Sequence, residues 1–254
     1  MIAIFNEQIA AIPTLHVVEY ERRDRRLPTV FFLHGFTSAK EHNLHVAYLL
    51  AEKGFRVFLP DALHHGEREK SLTREERQRH FWDIVLTSIE ELGRLKHELE
   101  RKNWCDESRL GVIGTSMGAI TMYGALTAYD WIRAAVSLMG TAYYEQFAES
   151  HVNMFKERGE PVDDESVARL YSRLERYDLS KQIERVAKRP LLIWHGTDDP
   201  VVPFQHSETL YRRLLPSYPD DGTLKFIREK AGHKVSRAAI LEAVAWFDHH
   251  LNVV

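Results

Sequence analysis

Short hydrophobic runs alternate along this chain with longer stretches in which hydrophobic residues recur every three or four positions. Runs such as Val30–Leu33 and Leu191–Trp194 are hydrophobic throughout, which is typical of parallel strands that are buried on both faces. The longer stretches predict amphipathic helices. The alternation of the two predicts an α/β fold, with a mostly parallel central sheet flanked by helices.

Two helices have the clearest periodicity. The spacing within Phe81–Leu99 predicts one long packed helix, and Ile240–Leu251 predicts a terminal helix for which Ser236 is a suitable N-cap. No internal repeat and no Gly/Ser-rich linker is found, so we expect a single domain over residues 1–254. In chain order, strands are predicted at Ile2–Phe5, Leu15–Tyr20, Val30–Leu33, Val57–Leu59, Leu110–Ile113, Ala134–Leu138, Leu191–Trp194 and Leu224–Ile227.

The segment from about Tyr143 to Lys188 interrupts this alternation. It is rich in charge and carries two amphipathic helical patterns, Phe147–Phe155 and Val167–Leu174. A connection this long inside a compact domain usually has its own structure and function. We therefore predict a helical cap insertion at about residues 143–188 that covers the active site. The alternative is a peripheral decoration away from the site.

The composition restricts the class of partner. Hydrophobic residues make up 44% of the 254 residues, and the formal net charge of −3 is spread along the chain. No basic face indicates a nucleic-acid partner. The cluster of arginines at 22–26 is interrupted by Asp24 and predicts only a solvated turn between two strands.

Two features of the sequence bear on cellular location. The hydrophobic run Met1–Phe5 meets Asn6 and Glu7 too early for a secretory signal, and no hydrophobic run is long enough to cross a bilayer. The one cysteine, Cys105, cannot form an internal disulfide. We expect a cytoplasmic protein with no membrane partner. The sequence leaves the oligomeric state open.

Residues 114–118 read Gly-Thr-Ser-Met-Gly and directly follow the apolar run Leu110–Ile113. A strand that ends in Gly-x-Ser-x-Gly and turns at once into a helix is a nucleophile elbow, which raises the central serine above the sheet. Small residues are needed on both sides of Ser116 because a Cβ there would collide with the neighbouring strand or helix. The motif and its position predict Ser116 as a nucleophile.

A serine hydroxyl needs a base to take its proton and an acid to orient that base. In this arrangement the acid and then the histidine follow the serine in sequence, each after a strand. The segment 195–203, His-Gly-Thr-Asp-Asp-Pro-Val-Val-Pro, follows a buried-type strand and offers two adjacent acids. We favour Asp199 as the acid. Asp198 is the alternative, or it caps the turn.

His233 is the predicted base. It lies after the Leu224–Ile227 strand, follows Gly232 and comes just before the terminal helix, which is the position the topology requires. The chain has 14 histidines, so residue type alone carries little information. His206, His249 and His250 are expected at the surface.

The oxyanion formed during acyl transfer needs hydrogen-bond donors. The backbone N–H of Met117 is one candidate, because it begins the helix after the nucleophile. The other is the backbone N–H of Phe36, in the loop after Leu33-His34-Gly35. His34 is expected to hold this oxyanion loop rather than to act as a second base.

Four further histidines raise the question of a metal site. His42 and His45 could share a helical face, and His64 and His65 follow a predicted strand. No acid or cysteine accompanies them at a recognisable ligand spacing, so we predict no metal and no other cofactor. Because the loop of His64 and His65 opens at the carboxyl side of the sheet, these two, with His34, are candidates for lining the substrate pocket.

Taken together, these motifs resemble the α/β-hydrolase superfamily over the whole chain. Within it, the chain is similar to the branch of dienelactone hydrolases, prolyl-oligopeptidase catalytic domains and small bacterial carboxylesterases. The segments 34–43 (HGFTSAKEHN) and 62–68 (ALHHGER) resemble a group of small cytoplasmic bacterial esterases. The resemblance implies a triad of Ser116, Asp199 and His233. Dienelactone hydrolases place cysteine at the elbow and dehalogenases place aspartate there, so the serine disfavours both of those chemistries.

The expected function is that of a serine carboxylesterase, which hydrolyses short-chain acyl esters through an acyl-enzyme intermediate. Its partner would be a small-molecule ester. Two alternatives remain: a thioesterase or small-peptide hydrolase that uses the same triad, and a non-catalytic protein of this fold that only binds a ligand. The natural substrate, the acyl-chain length and the leaving group are not specified by the sequence.

Overall fold

One mixed sheet forms the centre of the molecule, in a computed structural model that describes residues 1–186, 188–219 and 222–252. Within these residues the strand order is β1-β2-β4-β3-β5-β6-β7-β8. The pairings β1–β2 and β2–β4 are antiparallel and all others are parallel. The strands are β1 Ile2–Ile9, β2 Ile12–Glu19, β3 Leu27–Leu33, β4 Arg56–Pro60, β5 Cys105–Thr115, β6 Ala134–Leu138, β7 Leu191–Gly196 and β8 Leu224–Glu229.

The first two strands are longer than their hydrophobic runs predict. They form a hairpin whose turn residues, Ala10 and Ala11, both have positive φ, 52° and 63°. A two-residue turn with two positive φ values matches the right-handed twist of the flanking strands. The turn therefore lets both strands extend to Ile9 and Ile12, where the two residues pair directly.

Helices cover both faces of the sheet, as the alternation predicts. On β3 the side chain of Phe31 packs in a core with α3 and α4, whereas Val30 and Phe32 pack in a second core with α1 and α8. This alternation is the period-two geometry of a strand that is buried on both faces. The helices are α1 Leu44–Glu52, α2 Arg74–Arg79, α3 Phe81–Arg101, α4 Met117–Ala128, α5 Tyr144–Glu157, α6 Asp164–Glu175, α7 Phe204–Leu214 and α8 Arg237–Leu251.

The predicted cap segment folds into α5 and α6, followed by short 3-10 turns, between β6 and β7. Phe147 of α5 and Leu174 of α6 join a third hydrophobic cluster with Phe81 and Trp82 of α3. This cluster also contains Met117, at the start of α4. The two cap helices are therefore anchored beside the turn between β5 and α4.

The predicted terminal helix is α8. Ser236 caps it by accepting a hydrogen bond from the Ala239 backbone N–H at 3.1 Å. In the described part of the chain, no helix has both the length and the hydrophobicity needed to cross a membrane.

The turn from β5 into α4 is sterically closed around its two glycines. A Cβ on Gly114 would lie 2.1 Å from the Gly118 carbonyl oxygen, and a Cβ on Gly118 would lie 1.9 Å from the Leu33 carbonyl oxygen. The obstructing atoms are backbone, so no side-chain rotation could relieve either contact. Both positions therefore require glycine, as the steric argument for the motif predicts.

Gly118→Ala should destabilise the protein strongly, because β3 and the start of α4 would have to separate. We expect a loss of roughly 3 kcal/mol or more in the free energy of unfolding, at the upper end for overpacked cores. Urea unfolding followed by circular dichroism measures it. Gly232→Ala is the control, since its Cβ would meet atoms only at 3.9 Å or beyond. Equal stability of the two variants would contradict this account.

Candidate active site

Ser116 occupies the turn between β5 and α4 in a strained backbone conformation. Its φ is 52° and its ψ is −115°, a region that non-glycine residues rarely adopt. The Ser116 N–H donates to the Leu138 carbonyl oxygen of β6 at 2.9 Å, which ties the turn to the next strand. The backbone strain is thus held by neighbouring strands, and it points the hydroxyl away from the sheet.

The structure brings Ser116, His233 and Asp199 together at the carboxyl ends of the parallel strands. His233 Nε2 lies 2.9 Å from Ser116 Oγ, and His233 Nδ1 lies 2.7 Å from Asp199 Oδ2. Because a carboxylate only accepts hydrogen bonds, Nδ1 must carry the proton and donate it to Asp199. Nε2 is then free to accept the hydrogen bond of the serine hydroxyl. This is the tautomer required for His233 to act as a base.

Asp199 is held as an anion below the surface. Its side chain is fully buried, and burial by itself would raise the pKa of the carboxyl group. Hydrogen bonds from His195, His233 and the backbone N–H groups of Val201 and Val202 outweigh burial, so the pKa of Asp199 lies well below its usual range. The carboxylate therefore stays ionised at neutral pH and can stabilise a positive charge on His233.

The structure distinguishes the two adjacent aspartates. Asp198 is exposed, and among the described residues its carboxylate accepts only from the neighbouring Thr197 hydroxyl, at 3.3 Å. Oδ1 of Asp199 accepts from Val201 N–H at 2.8 Å and from Val202 N–H at 3.0 Å, which leaves Oδ2 directed at His233. The acid that faces the base is Asp199.

His195 is a positioning residue that the sequence reasoning missed. It is completely buried at the end of β7, and its Nε2 lies 3.2 Å from Asp199 Oδ2. Its Nδ1 lies 2.7 Å from Ser207 Oγ of α7, so its ring is fixed from both sides. The sequence signal for this role is a histidine inside an otherwise apolar strand, four positions before Asp199.

The segments that carry the two predicted oxyanion donors both lie next to Ser116. Met117 begins α4, so its N–H is among the helix N-terminal donors that have no partner within the helix. The Gly35–Phe36 backbone passes beside the elbow: a Cβ on Gly35 would lie 3.4 Å from the Thr115 carbonyl oxygen and 3.7 Å from Ser116 Cβ. The loop is therefore close enough for its N–H groups to face a carbonyl bound at Ser116.

A partly buried ion cluster anchors the far end of this loop. Lys40 is fully buried, and its Nζ lies 2.9 Å from Asp61, 2.8 Å from Glu67 and 2.8 Å from Glu41. Burial opposes the charge of Lys40, but these three carboxylates outweigh it and raise the pKa of its amine. Asp61 also accepts the backbone N–H groups of Lys40 and Glu67. The cluster joins the oxyanion loop to the loop after β4.

His34 and His65 support the loop from behind. His34 Nδ1 donates to the Gly35 carbonyl oxygen at 2.8 Å, and its Nε2 accepts the Ala62 N–H at 3.0 Å. Burial lowers the pKa of His34 to about 4, so this neutral tautomer persists at neutral pH. His65 Nε2 lies 2.5 Å from the Phe36 carbonyl oxygen. The structural role expected for His34 agrees with this geometry.

His34, His64 and His65 do not line the substrate pocket, contrary to expectation. A cavity of about 440 Å³ opens at Ser116 and His233, and none of the three is among the residues that line it. The hydrogen bonds of His34 and His65 turn their rings toward the backbone, and His64 packs against His80 at a centroid distance of 5.3 Å. The lining includes Phe36, Phe81, Ile120, Phe147, His151 and Val202.

The cap reaches the site through α5, which supplies Phe147 and His151 to the cavity wall. The His151 ring lies 4.6 Å from that of Phe147 and 4.9 Å from that of Phe81, between centroids. Burial among these rings lowers the pKa of His151 to about 4. His151 is therefore a neutral part of an apolar wall, contributed by the segment predicted to cover the site.

The structure places the remaining histidines as follows. Within the described residues, no three histidine, cysteine or acidic side chains are grouped so that they could hold a metal ion. His42 Nδ1 lies 3.3 Å from Ser38 Oγ. His249 is exposed, whereas His250 is half-buried beside Trp246, at 4.2 Å between ring centroids, so its expected surface position is wrong. His206 is also half-buried, with Nδ1 2.8 Å from the Thr141 hydroxyl. The expected surface position of His206 is wrong because α7, which carries it, packs against the loop after β6.

Comparison with known proteins places the chain in a family. The sequence profile of the prolyl oligopeptidase family matches residues 41–254. The chain belongs to this family. It is 51% identical to "Putative esterase YitV" of Bacillus subtilis, over 99% of this chain and 100% of that protein. It is 34% identical to "Esterase YjfP" of Escherichia coli, again over 99% and 100% of the two chains.

A solved structure shares the whole fold. The crystal structure of TT1662 from Thermus thermophilus superposes with a TM-score of 0.80 at 25% identity, and each chain covers 100% of the other. The predicted α/β-hydrolase fold and the resemblance to the prolyl-oligopeptidase branch are confirmed. The prolyl oligopeptidase family consists of serine hydrolases, so the chain is a hydrolase.

Replacing each aspartate separately tests which acid acts in the site. Asp199→Asn should lower kcat by about 10⁴-fold, because an amide cannot hold the required histidine tautomer. Asp198→Asn is the matched control and should keep nearly full activity. Steady-state hydrolysis of p-nitrophenyl acetate measures both. A greater loss in the Asp198 variant would reverse the assignment.

Replacing His151 tests whether it is buried as a neutral ring. Its pKa of about 4 in the fold lies below the ordinary value of 6.5, so the unfolded chain takes up the proton first as the pH falls. The neutral His151 ring therefore makes its full contribution to the free energy of unfolding above pH 6.5, and this contribution is lost as the pH falls toward 4. His151→Phe should therefore weaken the fall of Tm between these two pH values.

Thermal unfolding across this range measures the effect. His97→Phe is the control, since the His97 side chain is 82% exposed, and it should leave the slope unchanged. A His151→Phe variant with the same pH slope as the unmodified protein would show that His151 does not contribute in this way.

Proposed function

We propose that this protein is a serine carboxylesterase that hydrolyses small acyl esters. The observation that carries the proposal is the continuous hydrogen-bonded chain from Ser116 through His233 to the buried Asp199, which opens into a cavity of about 440 Å³. Two relatives that match over their full length carry the word esterase in their names. The apolar lining from Phe81, Ile120 and Phe147 suits a short acyl or alcohol group.

The reaction begins when Ser116 Oγ attacks the ester carbonyl carbon. His233 Nε2 takes the hydroxyl proton, and the negative charge moves to the carbonyl oxygen, where the backbone N–H groups of Phe36 and Met117 are the proposed donors. His233 then returns the proton to the departing alcohol. Asp199 stabilises the intervening imidazolium and does not itself need to take up a proton.

The acyl-enzyme is hydrolysed by the same groups in reverse order. A water molecule attacks the acyl carbon while His233 accepts its proton, and the proton then returns to Ser116 Oγ as the acid leaves. Side chains and backbone groups of this chain supply every step, so we propose that no cofactor is used. We also propose a small-molecule ester as partner, with neither nucleic acid nor membrane required.

We include a cytoplasmic location in the proposal. Cys105 is a free thiol at the start of β5, where it pairs with Leu27 of β3, and it is buried at 2% exposure. A chain with this single unpaired cysteine gains nothing from an oxidising compartment.

Ser116→Ala should abolish ester hydrolysis while leaving the fold intact, because the alanine side chain occupies the same space without a nucleophile. We expect a loss of about 10⁶-fold in kcat, as for other isolated triad serines. Hydrolysis of p-nitrophenyl acetate and labelling by a fluorophosphonate probe measure it. Ser150→Ala is the control, since Ser150 lies exposed on α5 and bonds only to the Gln146 carbonyl oxygen. Undiminished labelling of the Ser116 variant would refute the nucleophile.

Relative rates on different substrates distinguish the related activities. An esterase should show its highest kcat/KM on acyl esters, whereas a thioesterase would prefer acyl-CoA and a peptidase would prefer aminoacyl amides. A protein of this fold that only binds its ligand would hydrolyse none of them and would not react with the probe.

A further inference from the structure

The cavity at Ser116 carries one permanent charge. Among the described residues that line it, Arg74 is the only lysine or arginine, and no aspartate or glutamate is present. The two histidines of the lining are His233, which faces Asp199, and His151, whose pKa is about 4. The whole chain has a formal charge of −3. The positive charge of Arg74 at the cavity is therefore a local feature and does not follow from the overall charge.

Arg74 reaches the cavity because of how α2 is oriented. Gln78 follows Arg74 by four positions and lies on the same face of the helix, and both line the cavity. Gln78 Nε2 contacts the Met154 sulfur of α5 at 3.5 Å, and Arg79 pairs with Glu160 after α5 at 2.6 Å. These contacts fix α2 against the cap with Arg74 directed to the substrate side.

The carboxylates near Arg74 in the chain are engaged elsewhere or point away. Glu69 pairs with Arg77, and Glu76 accepts the Thr73 N–H in a capping box. Glu75 is exposed and does not line the cavity. In the described part of the chain, Arg74 has no ion-pair partner of its own. A guanidinium in this position is available to a ligand.

We propose that the ester substrate carries an ionised carboxyl group, which pairs with Arg74 while the ester carbonyl lies at Ser116. This proposal rests on the esterase function proposed above. A guanidinium matches a carboxylate with two parallel hydrogen bonds. The neighbouring walls are formed by Phe36, Phe81 and Phe147, and a single charge costs less to transfer into such surroundings than the double charge of a phosphate monoester.

The test compares matched pairs of charged and neutral esters. With the carboxylate on the acyl side, the pair is p-nitrophenyl hemisuccinate and its methyl ester. With the carboxylate on the alcohol side, the pair is 4-acetoxybenzoate and its methyl ester. The rate with Ser116→Ala gives the background for each ester. The pair whose charged ester loses kcat/KM in Arg74→Gln identifies the side of the ester bond that faces Arg74.

Arg74→Gln should lower kcat/KM for the charged ester of one pair by about tenfold, the usual size for losing one charged hydrogen-bonded contact. The neutral ester should change by less than about twofold, since it offers nothing for the guanidinium to pair with. Arg74→Lys should recover part of the loss. Arg101→Gln is the control: it removes the same charge from the exposed C-terminal end of α3, at a residue that does not line the cavity, and should leave both esters unaffected.

Equal losses on charged and neutral esters, or no loss on either, would overturn the proposal. Calorimetric binding of the same esters to Ser116→Ala, with and without Arg74→Gln, provides a second readout that needs no turnover. If the unmodified protein hydrolyses none of the four esters, the esterase function fails. Tenfold weaker binding of a charged ester in the double variant would still support the carboxylate site, and unchanged binding would exclude it.

Discussion

The structure depends on three backbone segments that approach one another more closely than any side chain would allow. Gly114 at the end of β5, Gly118 in the first turn of α4 and the Leu33 carbonyl of β3 share one small volume. This contact forces the sharp turn that gives Ser116 its positive φ. It also fixes the oxyanion loop, because that loop begins directly after Leu33. One steric constraint thus places the nucleophile and the oxyanion loop beside each other.

Buried charges then hold the loops of the site in place. On one side, Asp199 remains ionised because two histidines and two backbone N–H groups surround it. On the other side, Lys40 remains protonated among three carboxylates under the oxyanion loop. A buried charge that lost its partners would be costly, so each cluster restrains the loops that contribute to it. The base and the oxyanion loop are held by separate clusters on opposite sides of Ser116.

Helices above the sheet contribute much of the cavity wall. The loops at the ends of the parallel strands position the reacting groups, whereas α3 and α5 add Phe81, Phe147 and His151, and α2 adds Arg74, the only lysine or arginine among the described lining residues. Because α2 and α5 are in contact through Gln78 and Met154, a change in the packing of the cap would also move Arg74. The contacts between α2 and α5 therefore set the position of Arg74 at the cavity.

The sequence by itself determined the strand alternation, the elbow at Ser116 and the order of serine, acid and histidine, because these follow from local periodicity, local sterics and strand topology. It did not determine that His195 would support Asp199, that Lys40 would be buried, that His206 would be half-buried or that His34, His64 and His65 would not line the cavity. His233 and Ser116 are separated by 117 positions, and Arg56 reaches carbonyl groups more than 30 positions away. Such contacts form only when loops that follow different strands pack together. The partners of each side chain then depend on distance in the folded structure and not on neighbours in the sequence.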